Sequence, residues 1–251
     1  IIALGGSSTN DGGGGIACAL GAKFYNQKDE EFLPVGGTLS EIKSIDVTAL
    51  DERIKGVEFS VMCDVDTVLT GNLGASAVYG PQKGATPEMV RDMDTWLGRF
   101  AELTKAVLPE ADANIPGTGA AGGLGFAFLA YLNATLQSGI DLVIKETGLE
   151  EHIKNADIVV TGEGRLDGQS YMGKAPVGVA KLAKKYGKTV IAFSGCVTED
   201  AAICNEHGID AFFPILPTPC TLQEAMDCDN AYKNLKNTAC QVFRLLKTAN
   251  K

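Results

Sequence analysis

Short apolar runs and amphipathic runs alternate along the C-terminal part of the chain, and this alternation constrains the fold more than any other feature. The apolar runs predict strands at residues 158–160, 189–193 and 211–215. The amphipathic runs predict helices at residues 176–186, near 200–207 and from 222 onward. Strands that alternate with helices predict a parallel sheet with helices on both faces. Three strands are few for such a sheet, so we expect half of a Rossmann-like unit.

Two glycine-rich segments mark the N-terminal part of the chain. "GGSSTNDGGGG" follows an apolar strand candidate at residues 1–4, and "GTGAAGGLG" precedes an apolar helix. Between them we expect a short helix at residues 39–45, a strand in "VEFSVMCDVD" and the longest amphipathic helix in "TPEMVRDMDTWLGRFAELTKAVL". The sequence therefore predicts an α/β protein with a glycine-rich mixed α/β domain over residues 1–150 and a Rossmann-like domain over residues 151–251.

Charge and cysteine content disfavour several classes of function. The formal net charge is −9, and the longest basic block is the pair Lys184 and Lys185, so no nucleic-acid partner is expected. No apolar run reaches the roughly 18 residues of a spanning helix, so no membrane role is expected. The seven cysteines lack metal-ligand spacing, and no signal peptide is recognisable. We expect reduced thiols, buried as small hydrophobic groups, in a cytoplasmic protein.

The segment "VVTGEGRLDGQSYMGKAP" follows a predicted strand and collects polar groups before a predicted helix. Ligands of open parallel sheets bind beyond the carboxyl ends of the strands. Asp167 or Glu163 could take a proton or hold Mg²⁺, while Arg165 and Lys174 could offset phosphate charge. The candidate phosphate- and substrate-binding residues here are Thr161, Gly162, Glu163, Gly164, Arg165 and Gln169. The alternative is a purely structural strand-to-helix turn, and neither standard nucleotide-binding motif is present.

The opening stretch offers a second candidate site. Its glycines would let a ligand approach the backbone, its hydroxyls can donate hydrogen bonds, and Asp11 could act as a base. The candidate binding residues are Gly5, Gly6, Ser7, Thr9, Asn10 and Gly12. The alternative is that Asn10 or Asp11 only caps the following helix, which is the better interpretation of either residue taken singly.

Two acids, Asp64 and Asp66, end the strand candidate "VEFSVMCDVD". Because they are two residues apart in an extended chain, both would face the same side and could share a metal ion. The alternative is that they are acids of a surface turn. His152 and His207 have no acidic or cysteine companion in the sequence, so we interpret both as surface or helix-end residues.

Four segments, in this order, resemble the type 1 glycerate kinase family: "GGSSTNDGG", "CDVDTVLTGNLGASAVYGPQKGAT", "GTGAAGGLG" and "TGEGRLDGQSYMGKAPVGVA". The resemblance covers essentially the whole chain. It implies a kinase that transfers phosphate from ATP, with Mg²⁺, to the 2-hydroxyl of D-glycerate, and a homodimer is a possible assembly. The chain has Thr67 and Val68 where the family has Asn-Pro, and it lacks the family's preceding PDSFK-like and ADGGEGT-like motifs. We therefore expect that an N-terminal segment of the family is missing here.

The resemblance suggests a mechanism and leaves alternatives open. Asp11 or Asp167 would orient or deprotonate the 2-hydroxyl, and Lys174, with Mg²⁺ held through Asp64, would offset the phosphate charge. The sequence does not choose between the two acids, or between 2-phosphoglycerate and its 3-isomer as product. One alternative function is a dinucleotide-binding enzyme that uses "GEGRLDG" as a pyrophosphate turn. Another is a non-catalytic fragment that binds a small anionic ligand.

Overall fold

The computed structural model describes residues 1–171 and 173–249. By their internal contacts the residues form two compact units, Ile1–Gly139 and Ile140–Lys251. Each unit has its own buried apolar clusters, the largest of them around Phe24 and Phe100 in the first unit and around Val177 and Val190 in the second. The expected boundary near residue 150 lies somewhat later in the chain than this division, and the domain limits themselves stay a prediction.

The first unit contains two small sheets. Its parallel sheet has the order β1–β5–β6, and its antiparallel sheet has the order β3–β2–β4. The strands are β1 (Ile2–Ala3), β2 (Lys23–Tyr25), β3 (Glu31–Phe32), β4 (Ser44–Asp46), β5 (Ser60–Met62) and β6 (Thr135–Gln137). In the parallel sheet Val61 is the central residue, because it pairs with both Ile2 and Leu136 and is fully buried.

Four α-helices surround these sheets. They are α1 (Gly14–Ala19), α2 (Ala75–Tyr79), α3 (Pro87–Val107) and α4 (Ala120–Leu132), with 3₁₀ segments at Gly36–Glu41, Glu52–Gly56 and Pro81–Lys83. Helix α3 begins where the sequence predicts it: Thr86 Oγ1 accepts a hydrogen bond from Met89 N at 3.3 Å, and Pro87 occupies the first turn. Its buried face carries Leu97 and Phe100, as expected for helical spacing.

Two predictions for the first unit were wrong in detail, and one sheet was not predicted. The helix expected at residues 39–45 is the 3₁₀ segment Gly36–Glu41, and the residues after it form β4 instead. The antiparallel sheet was not predicted at all, because strands of two or three residues are too short to show an alternating pattern. The strand expected in "VEFSVMCDVD" covers only Ser60–Met62, and the side chain of Val57 at its predicted start is exposed.

The second unit has one parallel sheet of order β7–β8–β9, which confirms the predicted α/β class. Its strands are β7 (Ile158–Leu166), β8 (Thr189–Val197) and β9 (Ala211–Pro214). Its helices are α5 (Gly139–Thr147), α6 (Leu149–Lys154), α7 (Ala175–Lys185), α8 (Ile203–Glu206), α9 (Leu222–Met226) and α10 (Cys228–Ala249), with a 3₁₀ segment at Glu199–Ala202. The central strand β8 is buried over residues 190–194, as the apolar run at its start predicts.

Strand β7 is longer than the predicted strand, and this changes the interpretation of the "GEGR" segment. Pairing with β8 continues from Ile158 to Leu166, so "TGEGR" lies in a strand and not in a turn. Gly162 fits there because a Cβ atom would lie 2.1 Å from the backbone oxygen of Phe193 on β8. The pyrophosphate turn that the dinucleotide-binding alternative requires is therefore absent from these residues.

Two further expectations also need correction. Helix α10 has 22 residues and is therefore longer than α3, which has 21 and was expected to be the longest amphipathic helix. The helix predicted from residue 222 onward is divided at Asp227 into α9 and α10. All seven cysteines are free thiols, but only Cys204 is buried. Four thiols on the second unit are exposed: Cys196, Cys220, Cys228 and Cys240.

No helix within residues 1–171 and 173–249 has the length and apolar character that crossing a membrane needs.

Candidate functional site

The polar groups predicted after "VVTG" come together at the carboxyl end of β7. Asp167 is the first residue after the strand, and its Oδ1 accepts hydrogen bonds from Lys174 Nζ at 3.2 Å and Gln169 N at 3.0 Å. Arg165 Nε lies 3.7 Å from Asp167 Oδ2. Lys174 is the residue immediately before α7, so the ammonium group and the helix N-terminus lie on the same short loop. One carboxylate thus interacts with both cations of the predicted site.

Ser170 connects this carboxylate to a second one. It is fully buried, its hydroxyl donates a hydrogen bond to Glu163 Oε1, and its Oγ accepts one from Asp167 N at 3.1 Å. Glu163 lies in β7, where its backbone oxygen accepts a hydrogen bond from Ser194 Oγ on β8 at 2.9 Å. The two acids are therefore fixed relative to each other by a buried hydroxyl and by the sheet.

The protonation of Asp167 follows from these contacts. The hydrogen bond from Lys174 and the one from the Gln169 backbone hold the pKa of Asp167 below its ordinary value. Asp167 is therefore ionised at neutral pH, and its side chain is only one-fifth exposed. An ionised carboxylate beside an ammonium group can accept a hydrogen bond from a substrate hydroxyl while the cation faces a phosphate oxygen.

A cavity of about 770 Å³ lies along residues 160–164 of β7 and residues 193–196 of β8. Thr161, Gly162, Glu163 and Gly164 line one side of it, so four of the predicted binding residues face open space. The opposite side is apolar and includes Leu222 and Met226 of α9, together with Ile215, Leu216, Ala225 and Leu235. Arg165 and Gln169 are exposed and lie outside its lining. The cavity has the mixed character of sites that bind a partly apolar ligand by its polar end.

In the first unit, the glycine-rich opening divides into two parts with different surroundings. Gly12 and Gly13 are buried, and both have positive φ angles. Gly12 N donates a hydrogen bond to Gly122 O at 3.0 Å, and a Cβ atom on Gly13 would lie 2.4 Å from Ala127 Cβ of α4. These two glycines let the two glycine-rich segments pack backbone to backbone. Gly12 lines neither of the two cavities that the opening stretch borders, so a binding role for it stays a prediction.

Gly5 and Gly6, in contrast, face open space, with no atom within 4 Å of where a Cβ would lie. Together with Ser7 and Asp64 they line a cavity of about 210 Å³ at the carboxyl ends of β1 and β5. This position is the one where ligands of parallel sheets bind. A neighbouring cavity of about 480 Å³ is lined on its polar side by Thr9, Asn10 and Asp11 and on its apolar side by Met89, Met93 and Trp96.

Asp11 and Asn10 also have structural roles. Asp11 Oδ1 accepts a hydrogen bond from Gly13 N at 3.0 Å, which closes a local turn before α1. The N-cap of α1 is Gly13, and no side chain caps this helix, so the capping interpretation was wrong. Asn10 Nδ2 donates to Ser76 Oγ at 2.9 Å. Both residues also line the larger cavity, so the turn contact of Asp11 is compatible with a binding role.

The two acids of the predicted metal site have different environments. Both acids are exposed, but Asp64 Oδ1 accepts a hydrogen bond from Gly139 N at 2.7 Å and Asp64 lines the smaller cavity, whereas Asp66 does not line it. No group of three or more His, Cys, Asp and Glu suited to a metal ion occurs among the described residues. Mg²⁺ is commonly held by one or two carboxylates together with substrate phosphates, and Asp64 fits that requirement as a single oxygen donor.

Sequence reasoning missed two residues that the structure brings to these sites. Ser170 was not singled out although it lies inside the "GRLDGQS" segment, and Lys83 lies inside "GPQKGAT". The contacts of Lys83 with Ser7 and Thr9 span 76 and 74 positions of sequence, whereas those of Ser170 with Asp167 and Glu163 span only three and seven. The two histidines, in contrast, are as expected: His152 is exposed, and His207 stacks on Tyr171 with ring centroids 4.8 Å apart.

These features define an α/β protein with cavities beside the strands of its parallel sheets. The chain belongs to the glycerate kinase family, because the model of the glycerate kinase family matches residues 1–247. The resemblance predicted from the four motifs is thereby confirmed.

Individual relatives agree with this assignment. The glycerate kinase of Bacillus subtilis (strain 168) is 44% identical over 99% of this chain and 65% of its own length. The glycerate 2-kinase of Escherichia coli (strain K12) is 46% identical over 94% of this chain and 61% of its own length. A crystal structure of a "putative glycerate kinase 2" from Salmonella typhimurium LT2 superposes with a TM-score of 0.85 at 44% identity, over 98% of this chain and 64% of that one. The chain thus spans less than two thirds of the length of these proteins.

Proposed function

We propose that this chain belongs to an enzyme that phosphorylates D-glycerate with ATP to give 2-phosphoglycerate. The observation that carries the proposal is the Asp167–Lys174 pair beyond the end of β7, joined through buried Ser170 to Glu163. Support for the substrate comes from the family of the chain and from the names of its relatives. We propose a small-molecule substrate, with a homodimer as a possible assembly and the cytoplasm as location.

The proposed chemistry is an in-line phosphoryl transfer. The 2-hydroxyl oxygen of D-glycerate forms a bond to the γ-phosphorus of ATP, the bond from that phosphorus to the β,γ-bridging oxygen breaks, and ADP leaves. Asp167 is ionised at neutral pH and accepts the hydrogen bond, and then the proton, of the attacking hydroxyl. Lys174 and Arg165 offset negative charge on the transferring group. Mg²⁺, when bound through Asp64, would supply further charge neutralisation on the phosphates.

One turnover experiment tests which hydroxyl of D-glycerate receives the phosphate and whether ATP is the donor. The protein is mixed with D-glycerate, Mg²⁺ and ATP, ADP release is followed, and ³¹P NMR locates the phosphate on the product. Phosphorylation at the 2-position supports the proposal, phosphorylation at the 3-position corrects the product, and ADP release that does not depend on D-glycerate contradicts the substrate.

The choice between the two acids is tested by substitution. We expect Asp167→Asn to lower kcat roughly 10²–10⁴-fold, the usual contribution of a general base. Asp11→Asn should lower kcat less, because Asp167 pairs with Lys174, whereas no lysine or arginine of the described residues forms an ion pair with Asp11. Asp157→Asn, an exposed acid before β7, is the matched control and should leave kcat unchanged. If Asp11→Asn has the larger effect, the roles of the two acids are reversed.

A further inference from the structure

Lys83 lies where the two cavities of the first unit meet. It ends the 3₁₀ segment Pro81–Lys83, and Gly84 follows it with a φ of +92°. Its side chain lines both the cavity of about 480 Å³ and the cavity of about 210 Å³. It therefore lies beside Asp11 and the apolar wall of the first cavity, and beside Gly5 and Gly6 in the second.

Among the described residues, the ammonium group of Lys83 donates hydrogen bonds to neutral oxygens only. Nζ donates to Ser7 Oγ at 3.0 Å and to Thr9 O at 2.6 Å. Within residues 1–171 and 173–249, no carboxylate oxygen lies within 4.0 Å of it, while the ion pairs that do form involve other lysines and arginines. Burial lowers the pKa of Lys83, and the charge of Asp11 only partly opposes this effect. A partly buried cation without an anion at contact distance lacks the opposite charge that would offset the cost of its burial.

The hydrogen-bonding capacity of this ammonium group is also incomplete. A lysine ammonium has three donors, and two of them are used by Ser7 and Thr9. These two bonds fix Nζ against the glycine-rich opening. The space beyond Gly5 and Gly6 is free for a ligand, because no atom lies within 4 Å of where their Cβ atoms would be. A ligand oxygen in the smaller cavity would lie near both the Lys83 ammonium group and the open backbone of Gly5 and Gly6.

We infer that Lys83 binds an oxyanion in the first unit, held between its ammonium group and the Gly5–Gly6 backbone. The oxyanion is either the carboxylate of the hydroxy acid or a phosphate of the nucleotide, which share the chemistry that an ammonium group recognises. This inference deepens the proposed function and takes its two candidate ligands from it. Lys83 is then a binding residue that acts in addition to the Asp167–Lys174 pair.

The test measures binding and not turnover. D-glycerate and ADP are titrated separately into the wild-type protein and into Lys83→Met, with affinity measured by calorimetry. We expect the affinity for one of the two ligands to fall about 10–100-fold, as for the loss of a hydrogen-bonded ion pair. A loss confined to D-glycerate assigns the carboxylate, and a loss confined to ADP assigns the phosphate.

Two controls keep the result interpretable. Lys43→Met removes an exposed lysine of the same unit that pairs with Asp29, and it should leave both affinities unchanged. Lys83→Gln keeps donors for Ser7 and Thr9 but removes the charge, so it replaces Lys83→Met if that variant does not fold. Unchanged affinities in a folded Lys83 variant overturn the inference, and so does a wild-type protein that binds neither ligand. If Lys83 proves necessary for binding but no phosphoglycerate forms, the proposed function fails and the anion site remains.

Discussion

At the scale of single residues, glycine suits the opening stretch for two different physical reasons. Gly5 and Gly6 leave space beside a cavity, whereas Gly12 and Gly13 have left-handed backbone conformations and close contacts with the second glycine-rich segment. An L-residue at a left-handed position is strained by roughly 1–2 kcal/mol even without a clash. The abundance of glycine was recognisable in the sequence, but its division into cavity and packing positions was not.

Gly13→Ala should therefore destabilise the protein strongly. The added Cβ would lie 2.4 Å from Ala127 Cβ at a φ of +79°, so overpacking adds to the backbone strain. We expect a decrease of about 2–5 kcal/mol in the free energy of unfolding, measured by urea denaturation. Gly15→Ala, in the same segment, is the matched control, because it has no atom within 4 Å and lies in helix α1. It should be neutral or slightly stabilising, and equal effects of both substitutions would contradict the packing argument.

At the scale of elements, α3 and α4 are joined by one buried polar contact within an apolar interface. The hydroxyls of Thr104 on α3 and Tyr131 on α4 lie 3.1 Å apart, and both residues are buried. Nearby, Phe100 of α3 packs against Phe24 of β2 and Phe126 of α4, with ring centroids 6.1 and 5.9 Å apart. The long periodic pattern of α3 predicted the helix, but its partners depend on the tertiary structure.

Tyr131 should make the stability of the protein sensitive to alkaline pH. Burial raises its pKa to about 12, so between pH 10 and 12 the unfolded state loses this proton before the folded state does. The contribution of Tyr131 to the free energy of unfolding is complete below pH 10. It is lost as the pH rises to about 12, by at most about 1.4 kcal/mol per pH unit. Urea denaturation from pH 8 to 11 should show a weaker pH dependence in Tyr131→Phe than in wild type.

The control for this experiment is Tyr232→Phe. Tyr232 is an exposed tyrosine of α10, so its substitution should leave the alkaline dependence as in wild type. If Tyr131→Phe and Tyr232→Phe show the same dependence on pH, burial of Tyr131 is not its cause.

At the scale of the whole molecule, both units carry carboxylates that are stabilised in their ionised form. Hydrogen bonds from the Arg53 side chain and backbone lower the pKa of Asp51 to about 2. The pKa values of several other carboxyl groups are also below their ordinary values: Asp46, Glu88, Asp112, Asp167, Asp210 and Glu224. Their contacts favour folding only while the groups are charged.

The protein should therefore lose stability in acid. Because these pKa values are lower in the folded state, the stabilisation is complete above the ordinary carboxyl pKa of about 4 and is lost as pH falls through the folded values. We expect the urea midpoint to be similar at pH 7 and 6 and clearly lower at pH 3. Asp51→Asn should show a smaller decrease between pH 6 and 3 than wild type. A midpoint that does not change in acid would contradict the assignment.

The sequence by itself determined the parallel sheet of the second unit, the limits of α3 and the family of the chain. These features rest on periodicity, on capping residues and on long motifs, which are local along the chain. The tertiary structure alone decided the antiparallel sheet β3–β2–β4, the extension of β7 and the neighbours of the site residues. Strands of two or three residues have no stability without their partners, and Lys83 meets Ser7 across 76 positions of sequence. No local pattern encodes such a contact, because it exists only when distant segments pack together.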